Sequence, residues 1–178
     1  MKRNVIKALV YDSKGFVEES FEIANKGRIE FSYTGDKLNR NTVKRAENYH
    51  TVVAFVNDTI DKNVIDTLVN QGKQAIFLRS SGFNDIDLNY VDGKLKVFRV
   101  PAYSPEAVAE HAIALLMTSV RRIHKAYIRT RDFNFSLNGL TGFDLHGKNV
   151  GVIGTGNIGS VFIDICSGFG MNVYAYDI

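Results

Sequence analysis

Val150-Gly151-Val152-Ile153-Gly154-Thr155-Gly156-Asn157-Ile158-Gly159 is the stretch from which the rest of the chain is read. Its apolar, β-branched start predicts a strand over Asn149–Ile153. The glycine turn then opens a segment, Asn157–Phe169, with apolar residues at helical spacing. A second apolar run, Asn172–Tyr176, ends in Asp177. A G-x-G-x-x-G turn between strand and helix, with an acid about twenty residues on, is the fingerprint of a dinucleotide-binding βαβ unit. Gly154 allows the tight turn, and Gly156 leaves room for a diphosphate against the backbone. Gly159 lets helix and strand pack closely. Thr155, Asn157 and Ile158 complete the turn, and the N–H groups that open the helix face the phosphates. Asp177 would accept both ribose hydroxyls and repel a 2′-phosphate, which favours NAD over NADP. Taken alone, the same turn also suits a flavin, S-adenosylmethionine or a plain structural role.

Upstream, strand and helix alternate. Strands are expected at Val5–Tyr11, Arg28–Tyr33, Thr51–Val56, Ala75–Leu78 and Leu95–Val100, with the third and fourth read as buried. Helices are expected at Phe16–Lys26, Asp61–Gln71 and Asn84–Val91, and a weakly helical stretch at Asn41–Tyr49. Such alternation predicts a parallel sheet with right-handed crossovers. The rhythm changes at Pro101-Ala102-Tyr103-Ser104-Pro105. Ser104 can cap a helix and Pro105 fits its first turn. With no breaker before Asn134, one long helix is expected, and a domain boundary just ahead of it. Asn134–Lys148 reads as a loop.

Composition narrows the function classes. Of 178 residues, 22 are Lys or Arg and 19 Asp or Glu, a net charge of +3, with no dense basic block. That argues against nucleic acid or an anionic membrane as partner. The most apolar window, Ala107–Val120, carries Glu110 and His111, and so does not read as a membrane span. The basic start, Met1-Lys2-Arg3-Asn4, precedes an apolar run too short for a signal peptide. The single cysteine, Cys166, rules out a disulfide framework and a multi-thiolate metal site. It reads as a buried small hydrophobe. A reducing, cytoplasmic setting is expected.

Val100-Pro101-Ala102-Tyr103-Ser104-Pro105-Glu106-Ala107-Val108-Ala109-Glu110-His111 and the helix it opens resemble the D-isomer-specific 2-hydroxyacid dehydrogenases. So do Asn134-Phe135-Ser136-Leu137, Gly142-Phe143-Asp144-Leu145-His146-Gly147-Lys148 and the glycine turn. Within that family the resemblance is to the fermentative D-lactate dehydrogenases. It runs along the whole chain and is densest from Arg79 to Asp177. It implies an α/β chain with a flavodoxin-like substrate-binding domain over residues 1–103. Residues 104–178 would then hold a long interface helix and the first βαβ unit of a Rossmann NAD-binding domain. It also implies reversible hydride transfer between NADH and the C2 carbonyl of pyruvate or a similar 2-oxo acid, and a homodimer built on the long helix with its Ala-rich face, Ala107–Ala114.

By the same resemblance, Arg79-Ser80-Ser81-Gly82-Phe83-Asn84-Asp85-Ile86-Asp87 matches the family's substrate loop. Ser81 and Gly82 inherit the backbone N–H groups that hold the substrate carboxylate, a pairing that forms an anion nest. Ser81 stands where an apolar residue is common. Tyr103 matches a pocket tyrosine, and Phe55 an aromatic lining position that carries a hydroxyl in some relatives. A core role for Phe55 and linker packing for Tyr103 are the plainer alternatives. The family's catalytic Arg, His and Glu match nothing here. They are expected beyond Ile178, so the chain reads as a C-terminally truncated fragment, inactive alone and poorly ordered or poorly soluble after Tyr103. His50, His111, His124 and His146 read as surface, packing or loop residues. A non-catalytic NAD-binding module, or a degenerate product of the same fold, is the alternative.

Overall fold

The computed structural model describes residues 5–178, so the basic start Met1–Asn4 lies outside the described residues. The chain divides into two compact units, the first ending at Tyr103 and the second starting at Ser104.

The first unit contains β1 (Ile6–Val10), α1 (Gly15–Asn25), β2 (Ile29–Tyr33), β3 (Thr51–Ala54), α2 (Lys62–Asn70), β4 (Ala75–Leu78), α3 (Leu88–Val91) and β5 (Lys96–Arg99). The strands form one parallel sheet in the order β2-β1-β3-β4-β5. This is the flavodoxin-like order. Its direction reverses between β1 and β3, so the loops leaving those strands diverge and open a crevice at the carboxyl ends.

Every residue of β3 is buried, as its continuous apolar run requires for a central strand. On one face Leu9, Val52, Ala54, Ile76 and Leu78 join Val64, Ile65 and Leu68 of α2 in the main core. Helix α2 is fixed at both ends. The Asp61 carboxylate accepts the Val64 N–H at 3.1 Å, and Gly72 turns the chain away at φ +76°. On the other face only Val10, Val17 and Val53 are buried together, with Phe21, Phe31 and Tyr33 packed against them.

Three expectations need correction here. Strand β4 is buried on one face only: Phe77 stays partly exposed and stacks on Phe98, ring centroids 5.0 Å apart. The buried cluster on that face centres on β1, β3 and α1 and does not reach β4. The helix expected over Asn84–Val91 contracts to α3, because Ile86 instead makes a parallel bridge to Ile60. The stretch Asn41–Tyr49 forms a single 3-10 turn, Val43–Ala46, whose Val43 and Ala46 are drawn into the core.

Asp58 knits the carboxyl edge together. It is buried, and its two oxygens accept the Leu38 N–H at 2.7 Å and the Phe55 N–H at 2.6 Å. Burial pushes its carboxyl above the usual range, against the pull of those two bonds.

The second unit contains α4 (Pro105–Arg121), α5 (Ile123–Arg131), β6 (Asn149–Ile153), α6 (Asn157–Gly168) and β7 (Asn172–Tyr176). The Ser104 hydroxyl caps α4 by accepting the Ala107 N–H at 3.1 Å, with Pro105 in the first turn. The expected single long helix is two helices. Arg122 adopts φ +53°, closing α4 through its N–H to Thr118 and opening α5 through its carbonyl to Lys125 and Ala126. The loop that follows is seated at this break. A Cβ on Gly142 would lie 2.2 Å from the Val120 carbonyl oxygen, and Arg129 donates to the Asn138 carbonyl at 2.6 Å. No residue at the break is a helix breaker, which is why periodicity could not show it.

Helix α4 packs against α6, and its buried residues are Ala109 and Ile113. Part of the Ala-rich face expected to meet a partner subunit is therefore used within the unit. Strands β6 and β7 pair in parallel from Asn149↔Asn172 to Ile153↔Tyr176, as a two-stranded sheet. Ile153, Tyr174 and Tyr176 are exposed on it. Among the described residues no helix is long and apolar enough to cross a membrane.

Two substitutions test this packing. Asp58→Ala orphans two N–H groups and is expected to lower the unfolding free energy by roughly 2–4 kcal/mol, read by urea denaturation. Gly142→Ala is expected to lower the melting temperature, because the clash is with backbone and the loop must lift from α4.

Candidate functional site

The residues singled out by sequence fall into two groups, one in each unit. In the first unit, Phe55 follows β3, and Ser81 and Gly82 follow β4, its neighbour in the sheet. Phe55 is half-buried, and the Arg79 guanidinium lies over its ring at 3.9 Å from the centroid. Arg79 also donates to the Asp12 carbonyl at 2.6 Å. One side chain thus ties the end of β4 to the end of β1 across β3. Its Nε is buried without an acceptor, and the aromatic face offsets part of that loss. Ser80 is buried, and its hydroxyl donates to the Gly82 carbonyl at 2.9 Å. Arg99 donates to the Ser81 carbonyl at 2.6 Å.

With both carbonyls turned to these partners, the N–H groups of Ser81 and Gly82 have no acceptor among the described residues. Adjacent free donors on a loop that also holds the Arg99 guanidinium make a place for an anion. Gly82 is exposed, with open space where a Cβ would stand. Tyr103 is exposed, and its hydroxyl has no hydrogen-bond partner among the described residues.

Asp12, Asp58 and the side chain of Arg79 were not marked as site residues by sequence. Asp12 is buried at φ +45° and pairs with Lys14 at 3.3 Å. Burial acts to raise its carboxyl, but Lys14, Asn57 and Arg79 together hold it below the usual range. A short polar residue directly after a buried strand was the only available signal.

In the second unit Gly154 turns at φ +93°, beyond the reach of most side chains. A Cβ on Gly159 would lie 2.0 Å from the Gly154 carbonyl oxygen, so this position tolerates only glycine without a backbone shift. Gly156 differs. Its φ of −64° suits any residue, and a Cβ there would meet nothing within 4 Å. The N–H groups of Asn157, Ile158 and Gly159 have no acceptor among the described residues, while Ser160 N–H bonds back to Gly156 at 2.9 Å. A helix start with three free donors and an open space before it fits a diphosphate.

Thr155 differs from the rest of the turn. Its N–H and its hydroxyl both donate to Asp177 Oδ2, at 2.6 and 2.7 Å. The Thr155 hydroxyl, then its N–H and that of Ile178, hold the Asp177 carboxyl below the usual range. Any stability this adds is complete above the ordinary aspartate pKa and is lost as pH falls through the lowered folded value.

His50 Nδ1 accepts the Lys7 N–H at 2.9 Å, and its ring is a strand-edge partner. His111 and His124 are exposed on α4 and α5. His146 makes no side-chain hydrogen bond but lies against Gly170, where a Cβ would come 2.3 Å from its Nδ1. Cys166 is fully buried, and burial pushes its thiol up. An apolar concavity of about 800 Å³ lies along the sheet of the first unit, and none of Phe55, Ser81, Gly82 or Tyr103 lines it.

Residues 8–172 match the family model described as D-isomer specific 2-hydroxyacid dehydrogenase, catalytic domain. The D-lactate dehydrogenase of Escherichia coli is 47% identical over 174 residues, 97% of this chain and 53% of the relative. The apo-structure of D-lactate dehydrogenase from Escherichia coli superposes with a TM-score of 0.88 at 46% identity, over 97% of this chain and 55% of that one. The D-lactate dehydrogenase of Aquifex aeolicus, solved with NAD and lactic acid, gives a TM-score of 0.78 at 29% identity, over 96% of this chain and 51% of that one. The chain spans about half the length of the curated relatives it matches. With a sheet order, a glycine turn and a family match covering nearly all of its length, the chain belongs to the D-isomer specific 2-hydroxyacid dehydrogenases.

Proposed function

We propose that this chain carries the cofactor turn and the substrate-carboxylate loop of a cytoplasmic, NAD-dependent dehydrogenase that interconverts pyruvate and D-lactate, or a similar small 2-oxo acid and its D-2-hydroxy acid. The observation that carries the reading is the set of three acceptor-free N–H groups opening α6, in the same unit as a carboxylate at the end of β7. The relative solved with NAD and lactic acid supports the same cofactor and substrate class.

Asn157, Ile158 and Gly159 would bind the diphosphate through the backbone, with Gly154 and Gly156 leaving it room. Asp177 would receive a ribose hydroxyl and repel a 2′-phosphate. Ser81 and Gly82 would hold the substrate carboxylate through paired N–H groups, in the positive field of Arg79 and Arg99. This orients the 2-oxo acid without touching its reacting carbonyl. Phe55, steadied by Arg79, would present an apolar wall to the small C3 group, and Tyr103 a hydroxyl. When bound, the dinucleotide supplies or accepts the hydride at substrate C2. The Arg, His and Glu implied by the resemblance match no position in this chain. Without them the chain alone is expected to be inactive. A homodimer through α4 and α5 belongs to the same proposal, on the exposed Leu115, Ile123, Tyr127 and Ile128.

Calorimetric titration of the chain with NADH tests the cofactor reading, and the expected result is saturable binding. Gly156→Ala should leave the melting temperature unchanged, because its Cβ meets nothing in the protein. It should weaken NADH by about tenfold or more, roughly 1.4 kcal/mol, because the diphosphate needs that space. No heat of binding from a parent chain whose circular dichroism and melting show the second unit folded would overturn the reading. Sedimentation velocity tests the dimer, and a monomer at tens of micromolar would remove that part.

A further inference from the structure

We propose that Thr155 is a positioning residue: it fixes the Asp177 carboxylate so that only Oδ1 remains to receive a ribose hydroxyl. The inference rests on the cofactor reading and assigns within it a residue that sets selectivity. Oδ2 accepts two hydrogen bonds, from the Thr155 N–H at 2.6 Å and the Thr155 hydroxyl at 2.7 Å. Those two bonds fill the lone pairs of one carboxylate oxygen. Oδ1 accepts one bond, from the Ile178 N–H at 2.9 Å, and keeps one lone pair open, room for one ribose hydroxyl and not for the two expected from the sequence. Asp177 is exposed, and among the described residues no Lys or Arg stands within 4 Å of it. Neither packing nor a salt bridge holds this side chain, so Thr155 and the adjacent backbone are what stop it turning.

A fixed carboxylate discriminates better than a mobile one. A 2′-hydroxyl can donate to the open lone pair of Oδ1. A 2′-phosphate has no donor to offer and meets a negative charge that cannot swing aside. Without the Thr155 hydroxyl, Oδ2 keeps only the N–H of residue 155, and Asp177 turns more freely. That weakens the bond to NADH and relieves the repulsion of NADPH. The two cofactors therefore respond in different directions, whereas a purely structural defect in the turn would weaken both alike.

Fluorescence titrations with NADH and with NADPH on the parent chain, Thr155→Val, Thr155→Ser and Asp177→Ser test this. Thr155→Val is expected to narrow the NADPH-to-NADH ratio of Kd values by about tenfold, the scale of a hydrogen bond to a charged group. Thr155→Ser should keep the parent ratio, and Asp177→Ser should abolish the preference. Carboxyl-carbon NMR on the ligand-free chain gives a second readout. Asp177 should titrate below the ordinary value of about 3.9 in the parent and in Thr155→Ser, and return towards it in Thr155→Val. NADH binding with an unchanged ratio in Thr155→Val overturns this inference and leaves the cofactor reading standing. Absence of NADH binding in the parent overturns both, and an unchanged Asp177 titration in Thr155→Val refutes the Thr155 lock without reference to any cofactor.

Discussion

The approach of Gly159 to the Gly154 carbonyl governs the second unit. Because no Cβ intervenes, α6 begins directly against the end of β6, and its first N–H groups open onto the turn with no protein acceptor. The left-handed Gly154 makes that approach possible, and its N–H still pairs with the Tyr176 carbonyl at 2.8 Å, so the turn remains stitched to β7. That stitch in turn leaves Asp177 beside Thr155. One close backbone contact therefore sets the free donors, the space at Gly156 and the position of the acid.

The first unit reaches a comparable result by a different route. There the reversal of strand order leaves a crevice at the carboxyl ends, and side chains rather than glycines shape it. Asp58 collects two backbone N–H groups, and Arg79 bridges three strand ends and stacks on Phe55. These buried polar groups are costly unless partnered, and their partners are mostly backbone. The consequence is a loop whose carbonyls are occupied and whose N–H groups at Ser81 and Gly82 are free.

Most of the strands were legible as short apolar, β-branched runs: Thr51–Ala54 is buried along its whole length, whereas Asn149–Ile153 shows the same pattern with Val152 alone of its residues buried. Three of the differences from the expected pattern share one cause. The break at Arg122, the short α3 and the single turn at Val43–Ala46 are settled by contacts with residues distant in sequence. Gly142 meets Val120, Ile60 bridges Ile86, and Tyr11 donates to the Thr42 carbonyl at 3.0 Å. Periodicity counts local spacing and holds no record of such partners.

By itself the sequence determined the strand–helix alternation, the glycine turn with its terminal acid and the kinship of the chain, since each depends on spacing within a short window. Only the tertiary structure decided that Thr155 spends both of its donors on Asp177, that Arg79 clamps Phe55 and that Asp58 anchors the crevice. The hydrogen bonds of Asp58 and Thr155 among these span 3 to 22 positions of chain. Which acceptor a donor finds depends on how the strands are ordered in the sheet, and that order exists only once the chain has folded.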